Sequence, residues 1–149
     1  MNKNTQIDPA LMRRIVVESA IVARDYPDRF RLILTLENLP AWSGDAPVEG
    51  QNAPIAVVYP LTYPADPPVV RIGVNIPRNC PHILERKNDY AVICWIGGRF
   101  VDPRRRWKPH VHTAATAIRA AQRWLLAFLA WREIGDWPVP DAFEIMTID

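Results

Sequence analysis

At 149 residues, 49% of them apolar, the chain has the size and composition of one packed domain, which at this length buries roughly two-thirds of its unfolded surface. That composition excludes a disordered chain, and a net charge of +2 with histidine neutral gives no support to nucleic-acid binding. Two cysteines, Cys80 and Cys94, are too few for a disulfide scaffold. The start, MNKNTQIDPALMRR, is too polar for a signal peptide, and no apolar run is long enough to span a bilayer, so a reducing cytoplasm is the expected compartment.

Asp8-Pro9 reads as a helix start, with Asp8 as N-cap and Pro9 in the first turn. Leu11, Ile15 and Val22 then recur at helical spacing, but Glu18 and Ser19 interrupt their face, which suggests a peripheral helix. In RFRLILTLENL, Phe30, Leu32, Leu34 and Leu36 alternate with Arg31, Ile33, Thr35 and Glu37, the period of a half-buried strand. AWSGDAPVEGQNA, rich in turn formers, reads as a hairpin connection. PIAVVYPL and PPVVRIGVNI, rich in β-branched residues, read as two further strands. YPLTYPADPPVV packs four prolines into the approach to the third strand. Proline removes a ladder donor and fixes φ, so this segment is expected to be extended, rigid, and at an edge or between strands. X-Pro bonds also reach the cis isomer cheaply, which suits a reversal.

From Thr113 to about Glu133 the pattern is helical, with Ile118, Ala121, Leu125, Phe128 and Leu129 on one stripe widened by Trp124 and Trp131. Thr113 can cap its start and Gly135 its end. The tail DWPVPDAFEIMTID, with two prolines, reads as an irregular arm. Helix, strands, helix in this order indicate an α+β fold over a single domain, residues 1–149. Between Pro77 and His112 no regular pattern is visible. Loops of that length are uncommon in compact domains unless they serve a function. This one holds both cysteines and all three histidines, His82, His110 and His112. It also holds a local basic run, Arg99, Arg104, Arg105, Arg106 and Lys108, opposed only by Asp102 and read by default as a solvated loop.

Tyr63-Pro64-Ala65-Asp66-Pro67-Pro68, a strand, Val92-Ile93-Cys94, Trp107-Lys108-Pro109 and a closing helix together resemble the ubiquitin-conjugating enzyme family. That family carries Tyr-Pro-x-x-Pro-Pro, His-Pro-Asn, Ile-Cys-Leu-Asp and Trp-x-Pro in this order. The resemblance covers roughly residues 26 to 134. Cys80-Pro81-His82 stands where the family has His-Pro-Asn, so His82 takes the asparagine's place. Ile96 stands where an acidic residue is usual, and the loops on both sides of the cysteine are longer. These departures are similar to divergent bacterial relatives, including those of CBASS-type antiphage operons, several of which have Pro-His for Pro-Asn.

The resemblance implies a ubiquitin-conjugating-like fold: an N-terminal helix, an antiparallel meander sheet, a long active-site loop, and a C-terminal helix packed on the sheet. It implies Cys94 as the thiolate that carries a protein C-terminus as a thioester and passes it to a lysine amine. Nearby cations would lower the pKa of that thiol. His82 would either donate to the oxyanion or take the lysine's proton. A histidine bonded to loop backbone is an equally good reading of His82, and Asp102 is a weak candidate to orient the lysine. Cys80 is expected to be structural, and Trp107 to pack over the start of the last helix. Implied partners are an adenylating activating enzyme and a ubiquitin-like modifier or target C-terminus, with a defence nucleotidyltransferase as one candidate target. Neither cofactor nor metal is implied, and neither membrane nor nucleic acid is a partner. The alternative is a non-catalytic binding module of the same fold. A zinc site from Cys80, His82, Cys94, His110 and His112 has suitable residue types, but Cys-x-His and His-x-His spacings are not those of most structural sites.

Overall fold

The computed structural model describes residues 7–96 and 106–138. Its elements are α1 (Pro9–Asp25), β1 (Phe30–Leu34), β2 (Pro40–Val48), β3 (Gln51–Val58), β4 (Val69–Ile72), β5 (Ile83–Arg86), β6 (Ala91–Ile93) and α2 (Ala114–Ile134). The six strands form one open antiparallel sheet in the order β1-β2-β3-β4-β6-β5. The architecture is α+β, with an N-terminal helix, this sheet and a C-terminal helix. None of the described helices is long and apolar enough to cross a membrane.

Asp8 caps α1 as expected, its Oδ1 accepting from the Ala10 amide at 2.9 Å, and Leu11, Ile15 and Val22 are buried. The expectation of a peripheral helix is corrected at Glu18, which is 0% exposed on that same face. The polar interruption is the best-buried charge in the described chain, not a gap in the stripe.

β1 forms where the alternation placed it, but it is not half-buried. Leu32 and Leu34 are exposed on one face and Ile33 on the other. The reason is position: β1 ends the sheet, and α2 packs across β2, β3 and β4 instead. The segment read as a hairpin connection is mostly strand. Ala41 to Val48 pair residue for residue with Val58 to Gln51, and only Glu49-Gly50 turns. Both turn residues have positive φ, 47° and 77°, as a tight two-residue hairpin requires. Gly44 lies opposite Phe30, where a Cβ would sit 1.9 Å from the Arg29 carbonyl oxygen. Its glycine is therefore a close-approach residue inside a strand rather than a turn signal.

The stretch Pro77–His112, expected to be irregular, contains the hairpin β5–β6. β6 inserts beside β4, with Arg71 opposite Val92 and Ile72 opposite Ala91. Strands of four and three residues interrupted by a register shift between Ile83 and Glu85 leave no legible period. α2 follows its expected pattern closely. Thr113 stands at its N-cap and Gly135 ends it in the left-handed conformation, φ 83°. Ile118, Ala121, Trp124, Leu125 and Phe128 are buried, and Ala114, Ala115, Ala117, Ala120 and Ala127 let the helix approach the sheet closely. From the tail, Trp137 packs against the core with its ring tilted against that of Trp124, centroids 5.3 Å apart. The rest of the tail, from residue 139, lies outside the described residues.

Candidate functional site

The proline-rich connection between β3 and β4 is braced by two indoles. Tyr63-Pro64 is a cis peptide, and the Pro64 carbonyl accepts from the Trp107 indole at 2.7 Å. The Pro68 carbonyl accepts from the Trp95 indole at 3.0 Å. The Trp107 ring lies 5.8 Å from that of Tyr63, 6.1 Å from Trp95 and 5.4 Å from His112. Trp107 is therefore the hub between the proline connection, the residue after Cys94, and the turn that leads into α2.

Cys94 sits at the exit of β6. Val92 and Ile93 before it and Trp95 after it are buried, while Cys94 itself is partly exposed. Its amide donates to the His82 carbonyl at 2.9 Å, and the ladder continues from there with Ile83 opposite Ile93. The structure thus brings His82 and Cys94, twelve positions apart, side by side at one end of the β5–β6 hairpin. His82 has positive φ, 61°, a strained conformation for a residue with a side chain, and its ring lies 4.9 Å from that of Trp137. The turn presenting it is pinned from below. Arg86 donates to the carbonyls of Ile76 at 2.9 Å and Pro77 at 2.6 Å, and the Cys80 amide donates to the Pro77 carbonyl.

Cys80 is 7% exposed, and burial pushes its thiol up to about 11, opposed only by the Arg86 charge. Its sulfur faces the Pro81 carbonyl at 3.4 Å. A thiol of that kind stays protonated at neutral pH and does not act as a nucleophile. Iodoacetamide at pH 7.5 is accordingly expected to modify Cys94 and spare Cys80 in the folded protein. Peptide mapping after a short exposure checks this; equal labelling would contradict it.

The residues that sequence reasoning passed over form a buried network behind this site. Glu18 Oε1 accepts from the Tyr59 hydroxyl at 3.0 Å and the Ala114 amide at 2.8 Å. Glu18 Oε2 accepts from Arg14 Nε at 2.6 Å and from the Tyr63 hydroxyl. The Trp42 indole donates to Tyr59 at 2.8 Å. Arg14 donates in addition to the carbonyls of Pro109 and His112, at 2.7 and 2.8 Å. Burial, with the neighbouring Glu18 charge, raises both tyrosine hydroxyls far above their usual range, so they remain donors. The carboxylate also sits at the amino-terminal end of α2, where helix amides favour negative charge. One buried anion therefore ties α1, the proline connection and the start of α2 together. The signal in the sequence was the i,i+4 pair Arg14–Glu18 set inside an apolar face.

His112 lies on the rim of that network. Its Nδ1 accepts from the Lys108 amide at 3.0 Å, so the proton must reside elsewhere on the ring. Burial first, then the Lys108 charge, lowers its pKa. A histidine depressed in the folded state contributes stability that is complete above its unfolded pKa of about 6.5 and is lost as pH falls from there. The chain is expected to lose stability between about pH 6.5 and its lowered folded pKa, with Asn at position 112 flattening that slope. Denaturation midpoints across this range measure it.

Of the basic run, Arg106 and Lys108 are described; Arg99, Asp102, Arg104 and Arg105 lie outside the described residues. Among the described residues no group of three His, Cys, Asp or Glu side chains is placed to hold a metal ion. The five candidates of the zinc alternative, all described, are thus not gathered three at a time.

Neither a scan against protein-family models nor comparisons with curated proteins and solved structures gave a match to this chain. What fold and site define by themselves is an α+β domain that presents a partly exposed cysteine at a strand exit, its amide bonded to the His82 carbonyl and followed by the Trp95–Trp107 pair.

Proposed function

We propose that the chain is a ubiquitin-conjugating-like acyltransferase of the divergent bacterial kind, with Cys94 as thioester carrier. The observation that carries this reading is the contrast between its two thiols: Cys80 is buried and held protonated, whereas Cys94 is partly exposed where β6 ends beside His82. The chemistry needs one accessible thiolate on a rigid support, and the Trp95–Trp107 frame supplies that support.

In the first step the Cys94 thiolate attacks the thioester carbonyl of a protein C-terminus delivered by an adenylating partner. A new carbon–sulfur bond forms and the partner's carbon–sulfur bond breaks, its thiolate leaving. In the second step a lysine amine attacks that carbonyl. A carbon–nitrogen bond forms, the Cys94 thiolate leaves, and the amine proton passes to solvent or to the His82 imidazole. His82 serves alternatively as the donor to the tetrahedral oxyanion. The delivered C-terminus belongs to a ubiquitin-like modifier or to a target such as a defence nucleotidyltransferase, in the cytoplasm.

The test is co-expression with the neighbouring genes of its operon, followed by non-reducing and reducing gels. A thiol-sensitive adduct on this chain is expected, and none when Cys94 is alanine. Full conjugation by the alanine variant would refute the reading.

A further inference from the structure

The ring of His82 is the outer end of a file of aromatic side chains. It lies 4.9 Å from the ring of Trp137, which lies 5.3 Å from that of Trp124, which in turn lies 5.6 Å from that of Phe128. Trp124 and Phe128 are buried on α2, so the file runs from the turn beside Cys94 into the core under the C-terminal helix.

Trp137 reaches this place because of how α2 ends. Gly135 stands in the left-handed conformation, φ 83°, with its amide bonded to the Trp131 carbonyl at 2.8 Å. A helix end of that kind turns the chain away from the helix axis, and the indole two positions later comes to lie against Trp124. Trp42, Trp95 and Trp107 are each pinned through the indole nitrogen, to the Tyr59 hydroxyl and the carbonyls of Pro68 and Pro64. The indole nitrogens of Trp124 and Trp137 are buried without a hydrogen-bond partner. Ring packing is therefore what holds Trp137, and its ring is what it presents to His82.

The bond from the Cys94 amide to the His82 carbonyl fixes the backbone of the turn but leaves the imidazole free to rotate about its own side-chain bonds. A group that takes a proton or supports an oxyanion works only while it is held within about 0.5 Å of its productive place. A neighbouring ring in packing contact restricts that rotation, and aromatic pairs at this separation attract one another. We propose that Trp137 is a positioning residue for the reaction at Cys94: it holds the His82 imidazole from the side of α2 and so ties the site to the C-terminal helix. This rests on the reading of Cys94 as thioester carrier with His82 as its helper, and it adds a residue that acts through His82.

Two measurements on the whole chain test this. In NMR of the unaltered protein, nuclear Overhauser contacts are expected between the His82 ring protons and the Trp137 indole. Trp137→Leu is then expected to move the His82 ring resonances and to leave those of His112, which lies against Trp107, in place. In single-turnover assays a short synthetic peptide thioester loads Cys94 and free lysine discharges it. Trp137→Leu is expected to slow whichever step His82→Ala slows, by about 10-fold, since a misplacement of about 1 Å can cost about 100-fold. The double variant should be no slower than His82→Ala alone, because both changes remove one function. Trp137→Phe, which keeps a ring and most of the packing, should retain most of the rate. Rings without contact in the unaltered chain, a Trp137→Leu or His82→Ala variant as fast as wild type, or losses that multiply in the double variant would each overturn the proposal. A wild type that takes up no acyl group would sink the thioester reading itself and the role in transfer with it, while the ring contacts would still show whether Trp137 holds His82.

Discussion

Replacing Glu18 with alanine is expected to cost the fold about 3–5 kcal/mol, the range seen when one partner of a buried ion pair is removed. For a domain whose total stability is on the order of 5–15 kcal/mol, this brings the folded state near its limit. The size follows from what is orphaned. Four donors converge on the carboxylate, from Arg14, Tyr59, Tyr63 and Ala114, and Glu18 itself is fully buried. Arg14 keeps its bonds to the carbonyls of Pro109 and His112, but its charge loses the anion that justified bringing it in. Glu18→Gln should lie between wild type and alanine: its oxygen still accepts, while its amide nitrogen faces donors. Tyr59→Phe and Tyr63→Phe are each expected to cost about 1–3 kcal/mol, as unsatisfied buried groups do. These losses should not add to that of Glu18→Ala, since all three act on one network. Urea denaturation of the four variants and the double mutants decides this. A loss under about 1 kcal/mol for Glu18→Ala would mean that the carboxylate is not paired as described.

The network also explains where sequence reading reached and where it stopped. The two helices were legible because their periodicity spans several turns and their caps, Asp8, Thr113 and Gly135, are local signals. Glu18 was misread because polarity at a core position looks like exposure unless its partners are known. Those partners lie 41, 45 and 96 positions away, at Tyr59, Tyr63 and Ala114. β2 was misread as a turn because Gly44 and Pro47 are strand residues for non-local reasons: one makes room for the Arg29 carbonyl, and the other's carbonyl accepts from Gln122. The exposure of β1 could not be read either, since alternation reports a strand but not whether anything covers it. At the site, the sequence singled out Cys94 and His82, and their adjacency follows from a three-residue strand too short to carry a pattern. The proline connection was recognised as rigid; that Trp95 and Trp107 fasten it became visible only through their bonds to Pro68 and Pro64.

If the chain conjugates as proposed, replacing Cys94 with alanine is expected to abolish conjugation without weakening the fold, and the contrast between those two effects is what makes the experiment informative. A nucleophile that forms a covalent intermediate has no substitute in its neighbourhood, so its loss takes turnover to background. Cys80 cannot stand in: it is buried, and its thiol is held near 11. Stability should change little, because the sulfur is partly exposed and the backbone bond to His82 survives the substitution. A Lys at position 94 is expected to trap the delivered C-terminus as an adduct that reducing agent does not release, since an amide replaces the thioester. His82→Ala separates the roles left open for the imidazole. If His82 takes the amine's proton, thioester loading should remain and transfer should fall, with the defect shrinking as pH rises and the lysine deprotonates by itself. If it supports the oxyanion instead, loading and transfer should fall together at every pH, because both steps pass through a tetrahedral intermediate at the same carbon. If neither step changes, its ring beside Trp137 serves packing alone. Single-turnover loading and discharge assays across pH 6.5 to about 9 distinguish the three outcomes.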